Sequence, residues 1–250
     1  MNEGSLTTTR FWAGRAAPGA IQSEFQEQFD RFVPKAHRPG KRAIEIGAWP
    51  GSHLAALCLS RGYTPVALDY IPDVLKLKEV FQKAGLPGAS VVEADFTQWN
   101  TPERFEVVLS LGFIEHFANW RPVLRKHWDI LAVNGTLLLG VPILGLAQMW
   151  LRRRVYTRDQ LKLVLESHNL EVMDVKVLSE ACGALPGARI VFADHIWNMR
   201  TWLKVGDPGV RKDRHLILAL WRQLARLPGA LNISGRWISP YGIVVAHKQS

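Results

Sequence analysis

A short apolar run that ends in a glycine turn, at residues 43–52, constrains the fold of this chain more than any other feature. Ala43–Ile46 predicts a buried strand, and Ser52–Arg61 has the apolar spacing of a helix. Gly47 and Gly51 lie between them, where the backbone must turn sharply or approach a ligand closely. The N-terminus of the helix offers free N–H groups beyond this turn. The segment therefore predicts a strand, a turn and a helix with a ligand site at the turn.

Strand and helix patterns alternate along the chain after this turn. Continuous apolar strands separated by helices predict an α/β fold, with a mostly parallel sheet covered on both faces. The predicted strands are Ala43–Ile46, Val66–Leu68, Ser90–Glu93, Phe105–Ser110, Thr136–Val141, Leu170–Leu178 and Gly242–His247. The predicted helices are Ser52–Arg61, Pro72–Ala84, Arg121–Leu131 and Thr157–His168.

Two parts of the chain fall outside this alternation. Residues 1–40 predict an N-terminal accessory helical segment, because Ile21–Val33 has helical apolar spacing and Pro34 ends it. About sixty residues separate the last two predicted strands, and this interval contains four tryptophans and many arginines. We therefore predict a core at 41–178, an inserted helical lobe on the substrate side at 179–238, and a closing strand at 239–250.

Charge and hydropathy define the classes of partner. The net charge of +9 favours anionic partners such as nucleic acid, lipid headgroups or acidic glycans, and charge alone does not choose among them. Gly135–Leu151 has no charged residue, but its 17 residues contain three glycines and a proline. A strand that runs into a loop is therefore expected there, not a spanning helix. Arg152–Arg154 directly behind it leave peripheral contact with an anionic membrane open.

Several kinds of chemistry lack their sequence signals. Cys58 and Cys182 are too few for a disulfide framework, and Met1–Arg10 has no signal-peptide pattern, so a cytoplasmic protein is expected. The eight histidines show no close paired spacing, so no metal site is predicted. There is neither a nucleophile elbow nor a phosphate loop ending in lysine.

The glycine turn itself distinguishes between nucleotide cofactors. A dinucleotide fingerprint would need glycine at positions 47, 49 and 52, and of these only Gly47 is present, so NAD is disfavoured. Glu45, Gly47 and Gly51 instead resemble motif I of the class I S-adenosylmethionine (SAM)-dependent methyltransferases. Trp49 replaces the middle glycine of that motif, and its side chain is expected to point away from the ligand or to wall the pocket. The resemblance implies that SAM contacts Glu45, Gly47, Ala48 and Gly51.

Acidic residues follow the next two predicted strands in the order that this family has. Asp69 ends the second strand, where a carboxylate can accept hydrogen bonds from both ribose hydroxyls. A helix-capping aspartate is the alternative. By resemblance, Tyr70 and Ile71 complete this part of the site. Asp95 then accepts the adenine amino group, while Phe96 and Ile71 flank the ring; a purely structural Phe96 is the alternative.

The fourth strand runs into a segment, Ser110–Phe117, that resembles motif IV of the family. Ser110 and Gly112 are implied to contact the methionine portion of SAM, and Gly112 lets the backbone pass the reacting methyl group. His116 would face the substrate, where a neutral imidazole can remove a proton from an attacking hydroxyl. A structural or substrate-orienting histidine is the alternative, and Glu115 is expected to point into the fold.

Four later segments also resemble the family: Asn134–Pro142, Tyr156–Leu161, Glu171–Val175 and Ser239–Val245. The resemblance covers residues 41–178 and 239–247, and it implies a Rossmann-like class I methyltransferase fold with seven strands. The turn and the 111–117 segment look like small bacterial methyltransferases of surface-polysaccharide or glycolipid assembly. The resemblance thus implies O-methylation of a sugar or a lipid-linked glycan. An RNA or small-molecule acceptor and a non-catalytic binding module are the alternatives, although no RNA-binding module is recognisable.

Overall fold

Seven strands form one sheet in the computed structural model, which describes residues 4–12, 23–197, 211–214, 216, 219, 220, 223, 235 and 239–250. The strands are β1 (Arg42–Ile46), β2 (Thr64–Asp69), β3 (Ser90–Glu93), β4 (Phe105–Leu111), β5 (Leu131–Pro142), β6 (Ala188–Ile196) and β7 (Tyr241–Lys248). Their spatial order is β3-β2-β1-β4-β5-β7-β6. The first five are parallel, whereas β7 pairs antiparallel with both β5 and β6.

Helices connect these strands and cover both faces of the sheet. They are α1 (Thr9–Trp12), α2 (Gln26–Phe32), α3 (Ser52–Arg61), α4 (Leu77–Lys83), α5 (Trp120–Asp129), α6 (Leu146–Val155), α7 (Arg158–Glu166) and α8 (Val175–Gly183). Short 3-10 helices lie at Pro72–Lys76, Ile114–His116 and Lys212–Arg214. The mostly parallel α/β sheet predicted from the sequence is therefore confirmed.

The apolar side chains of the central strands alternate between two cores. On β1, Ile44 and Ile46 belong to the core that α5 and α8 cover, whereas Ala43 belongs to the core under α2, α3 and α4. All three side chains are fully buried. Burial on both faces explains why these strands are continuous apolar runs in the sequence.

The carboxyl ends of the parallel strands meet at one edge of the sheet. Ile46 is paired with Leu68, and Asp69 with Glu93, so β1, β2 and β3 end side by side. The strand order reverses between β1 and β4, which opens a crevice beyond their carboxyl ends. Ligands of open α/β sheets bind at such a point.

The N-terminal strap, residues 4–12, lies across the loop that follows β4. Ser5 forms an antiparallel bridge with Phe117. Leu6 N donates a hydrogen bond to His116 O at 2.7 Å, and Ala118 N donates one to Gly4 O at 2.8 Å. The predicted accessory segment thus contains α2 and this strap, while residues 1–3 and 13–22 lie outside the described residues.

The predicted sixth strand, Leu170–Leu178, is wrong. Its second half begins α8, because the Asp174 side chain accepts a hydrogen bond from Lys176 N and caps the helix. Val175, Leu178 and Cys182 are buried at helical spacing, a period that becomes visible only beyond residue 178. The sixth strand is instead β6, which the sequence analysis assigned to the inserted lobe.

The apolar stretch that ends at Leu151 also differs from its prediction. Its strand is confirmed as β5, but α6 replaces the expected loop from Leu146 onward. Within the part of the chain that the structure describes, no helix combines the length and apolar character needed to cross a bilayer. The lobe predicted at 179–238 includes β6, and most of its remainder, with Trp202, Trp221 and Trp237, lies outside the described residues.

Candidate active site

A cavity of about 890 Å³ lies at the carboxyl ends of β1, β2 and β4. Eight of the twelve site residues predicted from the sequence line it: Gly47, Asp69, Tyr70, Ile71, Asp95, Phe96, Gly112 and His116. Trp49, expected either to point away or to wall the pocket, also lines it. The strap and the loop after β4 contribute residues that were not predicted: Ser5, Thr7, Thr8, Trp12, Phe113 and Phe117.

The glycine turn brings the backbone close to the opposite side of the cavity. Gly47 has a φ of 72°, and a Cβ there would lie 2.8 Å from Cδ2 of Phe113. Gly47 N and Ala48 N both donate hydrogen bonds to Leu68 O, at 2.9 and 3.1 Å. The turn is therefore held by β2, and glycine is required at 47 by both conformation and space.

Asp69 connects the glycine turn to the segment after β2. Its Oδ2 accepts a hydrogen bond from Trp49 N at 3.1 Å, and its Oδ1 accepts one from Ile71 N at 3.3 Å. The helical turn that begins at Pro72 has no side-chain cap, so Asp69 does not have the alternative capping role. The pKa of Asp69 is raised above its usual value, because the effect of burial exceeds the opposing effect of these backbone N–H groups.

Asp95 and Phe96 lie beside Asp69 along the same edge. Asp95 Oδ1 accepts hydrogen bonds from Thr97 N at 2.9 Å and from Thr97 Oγ1 at 2.8 Å. Phe96 is 2% exposed, and it belongs to the core while also contributing to the cavity lining. Its ring centroid lies 4.6 Å from that of His127. Two carboxyl groups and an aromatic edge thus converge on one end of the cavity.

Four predicted cofactor residues lie outside the cavity lining. Glu45 is 2% exposed and accepts a hydrogen bond from Leu54 N at 3.1 Å, and burial raises its pKa well above the usual value. Gly51 precedes α3 with a φ of 85°, where a Cβ would lie 2.8 Å from Cδ2 of Leu77. Ala48 is buried, and the Ser110 hydroxyl is buried without a hydrogen-bond partner among the described residues. These positions support the turn, and their contact with a cofactor stays a prediction.

His116 lies at the other end of the cavity and is 5% exposed. Its Nδ1 lies 2.6 Å from Ser167 O, and since a carbonyl oxygen only accepts, Nδ1 carries the proton. The lone pair of the ring is therefore on Nε2. The indole ring of Trp12 packs edge-on against the imidazole, with the centroids 4.9 Å apart.

Glu115 and His168 lie next to His116. Glu115 points into the fold as expected: it is 1% exposed, and burial raises its pKa to about 8. Its Oε1 is 3.7 Å from Nε2 of His116. The His168 ring centroid is 4.6 Å from that of His116. His168 was not predicted as a site residue, because it lies far along the chain and follows a helix rather than a strand.

Comparisons with solved structures show the fold. YjhP from E. coli has a TM-score of 0.57 at 16% identity, covering 98% of each chain. YcgJ from Bacillus subtilis has a TM-score of 0.53 at 12% identity, covering 90% of this chain and 97% of that one. The plantazolicin methyltransferase BpumL, solved with a triazolic desmethylPZN analog and SAH, has a TM-score of 0.57 at 10% identity, covering 90% of this chain and 82% of that one.

The sequence comparisons give the family. No curated protein sequence matches the chain. A family model described as a methyltransferase domain matches residues 19–175, which is more than half of the chain. The match includes the glycine turn, both aspartates and the loop after β4. The chain therefore belongs to the methyltransferase domain family, and it is a SAM-dependent methyltransferase with the class I fold.

Proposed function

We propose that this methyltransferase binds SAM along the strand ends and transfers its methyl group to a hydroxyl of a sugar or a lipid-linked glycan. The observation that carries the proposal is that Asp69 and Asp95 line the same cavity as Gly47. A cavity of about 890 Å³ is large enough for a cofactor with an acceptor beside it. BpumL, which has the same fold, was solved with SAH.

Each part of SAM has a counterpart in this arrangement. Asp69 accepts hydrogen bonds from the ribose hydroxyls, with Tyr70 beside it, and Asp95 accepts one from the adenine amino group. Phe96 and Ile71 flank the adenine ring. The methionine portion lies along Gly47 and Gly112, with Ala48, Gly51, Glu45 and Ser110 behind them.

Methyl transfer requires an acceptor oxygen in line with the bond between the methyl carbon and sulfur. The oxygen attacks the methyl carbon, the carbon–sulfur bond breaks, and the products are a methyl ether and SAH. Alignment and exclusion of water supply most of the catalysis. We assign His116 to the acceptor side as the catalytic residue that accepts the hydroxyl proton, because Nδ1 carries the ring proton and the lone pair is on Nε2.

The surface of α6 supports an acceptor presented at a membrane. Leu146 is 68% exposed and Trp150 is 53% exposed on this helix. Arg153 and Arg154 lie on its last turn, and the Arg154 guanidinium lies 4.2 Å from the Trp150 ring centroid. Exposed apolar and cationic side chains together suit an anionic lipid surface. We therefore propose peripheral membrane contact through α6. A comparison of binding to anionic and to neutral vesicles tests this contact.

Calorimetry with SAM tests the cofactor site. Asp69→Ala is expected to weaken SAM binding by about 100-fold, since it removes charged hydrogen bonds worth about 1.5–3 kcal/mol each. Glu93→Ala is the matched control, because Glu93 is an exposed carboxylate at the end of the neighbouring strand and outside the cavity lining. If the wild-type chain did not bind SAM, the non-catalytic binding module would be favoured.

Methyl-transfer assays test the acceptor. Glycans, lipid-linked glycans, RNA and small hydroxyl compounds are offered to the wild type and to His116→Ala. We expect transfer to a glycan hydroxyl, with His116→Ala losing turnover while keeping its affinity for SAM. Methylation of RNA or of a small molecule alone would contradict the glycan assignment, and unchanged turnover in His116→Ala would contradict the role of this histidine.

A further inference from the structure

We propose that Glu115, His116 and His168 hold a divalent transition-metal cation beside the cavity, next to His116, which is the one of the three that lines it. Each of the three side chains offers one ligand atom, and these atoms all lie within 4.8 Å of one another. Two imidazoles and one carboxylate are a donor set that binds Zn²⁺, Mn²⁺, Co²⁺ or Fe²⁺. The sequence analysis predicted no metal because His168 is remote from Glu115 and His116 in the chain.

Both histidines are oriented as metal ligands usually are. His116 Nδ1 donates to Ser167 O, and His168 Nδ1 lies 2.6 Å from Val164 O, which likewise only accepts. Backbone carbonyls therefore fix both tautomers and place both lone pairs on Nε2. A ring N–H held by a carbonyl fixes the ring of a metal-binding histidine in the same way and raises its basicity.

The buried carboxyl group of Glu115 is the second, independent observation. Its Oε1 lies 3.7 Å from Nε2 of His116, a separation too long for a hydrogen bond. Its Oε2 is buried without a hydrogen-bond partner among the described residues. A buried carboxyl oxygen without a partner is costly, and a cation bound between this group and the imidazole lone pair reduces that cost.

The distances and the backbone fit one ion. Ligand atoms about 2.0–2.2 Å from a cation are separated by about 3–4.4 Å, so the 3.7 Å separation already fits. Asn169 N donates to Glu115 O at 2.6 Å, which ties the segment that carries His168 to the loop that carries the other two ligands.

The inference rests on the proposed function and deepens it. A cation held by these residues would lower the pKa of an acceptor hydroxyl that reaches it beside His116, and the hydroxyl proton would pass to water. The oxygen then attacks the methyl carbon while the carbon–sulfur bond breaks, and the cation is unchanged. His116 then activates the hydroxyl through the cation rather than as a proton acceptor.

Cobalt binding tests the site without any acceptor. The full-length chain is stripped with a chelator and titrated with Co²⁺, and its visible absorption bands are followed. We expect one Co²⁺ per chain, displaced by Zn²⁺. Glu115→Gln and His168→Ala are expected to weaken Co²⁺ binding at least about 100-fold, since each removes a ligand. His37→Ala is the matched control, because His37 is exposed and outside this cluster.

Two further measurements keep each outcome decisive. Co²⁺ is expected to raise the unfolding temperature of the wild type and of His37→Ala, but of neither ligand variant. Because the readout is the change on adding Co²⁺, a variant of low stability can still be compared with the wild type. SAM affinity is measured on the same samples. Wild-type protein that binds SAM but shows no Co²⁺ bands overturns the cation site and leaves His116 as a proton acceptor. Protein that binds Co²⁺ but not SAM overturns the proposed function and supports the cation site.

Discussion

The cavity has two walls that are built in different ways. The sheet wall, with Gly47, Asp69 and Asp95, follows the ends of parallel strands whose register is fixed by their hydrogen bonds. The loop wall consists of the strap and residues 112–117, and residues 167–169 lie behind it. Its segments are joined by only a few backbone hydrogen bonds in the described structure, including those from Leu6 to His116 and from Asn169 to Glu115. Strand order thus positions one wall, whereas contacts between distant segments position the other.

The largest effect is expected where the two walls touch. Gly47→Ala places a Cβ 2.8 Å from Cδ2 of Phe113 at a φ of 72°, so clash adds to backbone strain. We expect it to lower the free energy of unfolding by about 3 kcal/mol, measured by denaturant unfolding. Gly40→Ala is the control, because its φ is 87° and a Cβ there has nothing within 4 Å. Gly40→Ala is expected to lower the free energy of unfolding by about 1 kcal/mol. Equal losses in the two variants would show that the two walls do not constrain each other.

A smaller effect is expected from acid, through a histidine buried where the walls join. The His127 ring lies 4.6 Å from the ring of Phe96 on one side and 6.0 Å from that of Phe113 on the other. Burial lowers the pKa of His127 to about 4, whereas an unfolded chain has a value near 6.5. Between these pH values the unfolded state therefore binds more protons than the folded state. The stability that the uncharged His127 contributes is present above about pH 6.5 and is lost as the pH falls towards 4.

His127→Phe tests this pH dependence. Phenylalanine keeps the aromatic packing and cannot be protonated, so the variant should lose about 2 kcal/mol less than the wild type between pH 7 and pH 5. Unfolding free energies at the two pH values measure this difference. Burial also lowers the pKa of His53 to about 4, so part of the acid sensitivity is expected to remain. An identical pH profile in both proteins would contradict the assignment to His127.

The smallest effect is expected from loosening the strap alone. Leu6→Pro removes the N–H group that donates to His116 O, a hydrogen bond worth about 1 kcal/mol. SAM affinity is expected to fall by about tenfold or less, as measured by calorimetry. Leu6→Ala keeps the N–H group and is expected to bind SAM nearly as the wild type does. If the two variants bound SAM equally well, the strap would not contribute to the loop wall.

The same division explains what the sequence could predict. Strands β1 to β5 were predicted because strands buried on both faces are continuous apolar runs, and the residues after them necessarily share an edge of the sheet. Strand β6 was missed because it lies at the edge of the sheet, where Arg189, Asp194 and His195 interrupt its apolar character. The strap and His168 were missed because no local pattern specifies contacts between segments this far apart.

The buried position of Glu45 affects how a loss of ligand affinity in variants of this pocket should be interpreted. This carboxyl group, the acidic member of motif I, is covered by protein and bound to the backbone of Leu54 in α3. Replacing it would release the start of α3 behind the glycine turn, and ligand binding would weaken because the turn changes shape. A mutational scan would then rank Glu45 with Asp69, although of these two carboxyl groups only Asp69 lines the cavity. Redesign of this pocket should therefore keep Glu45 unchanged and vary residues that line the cavity.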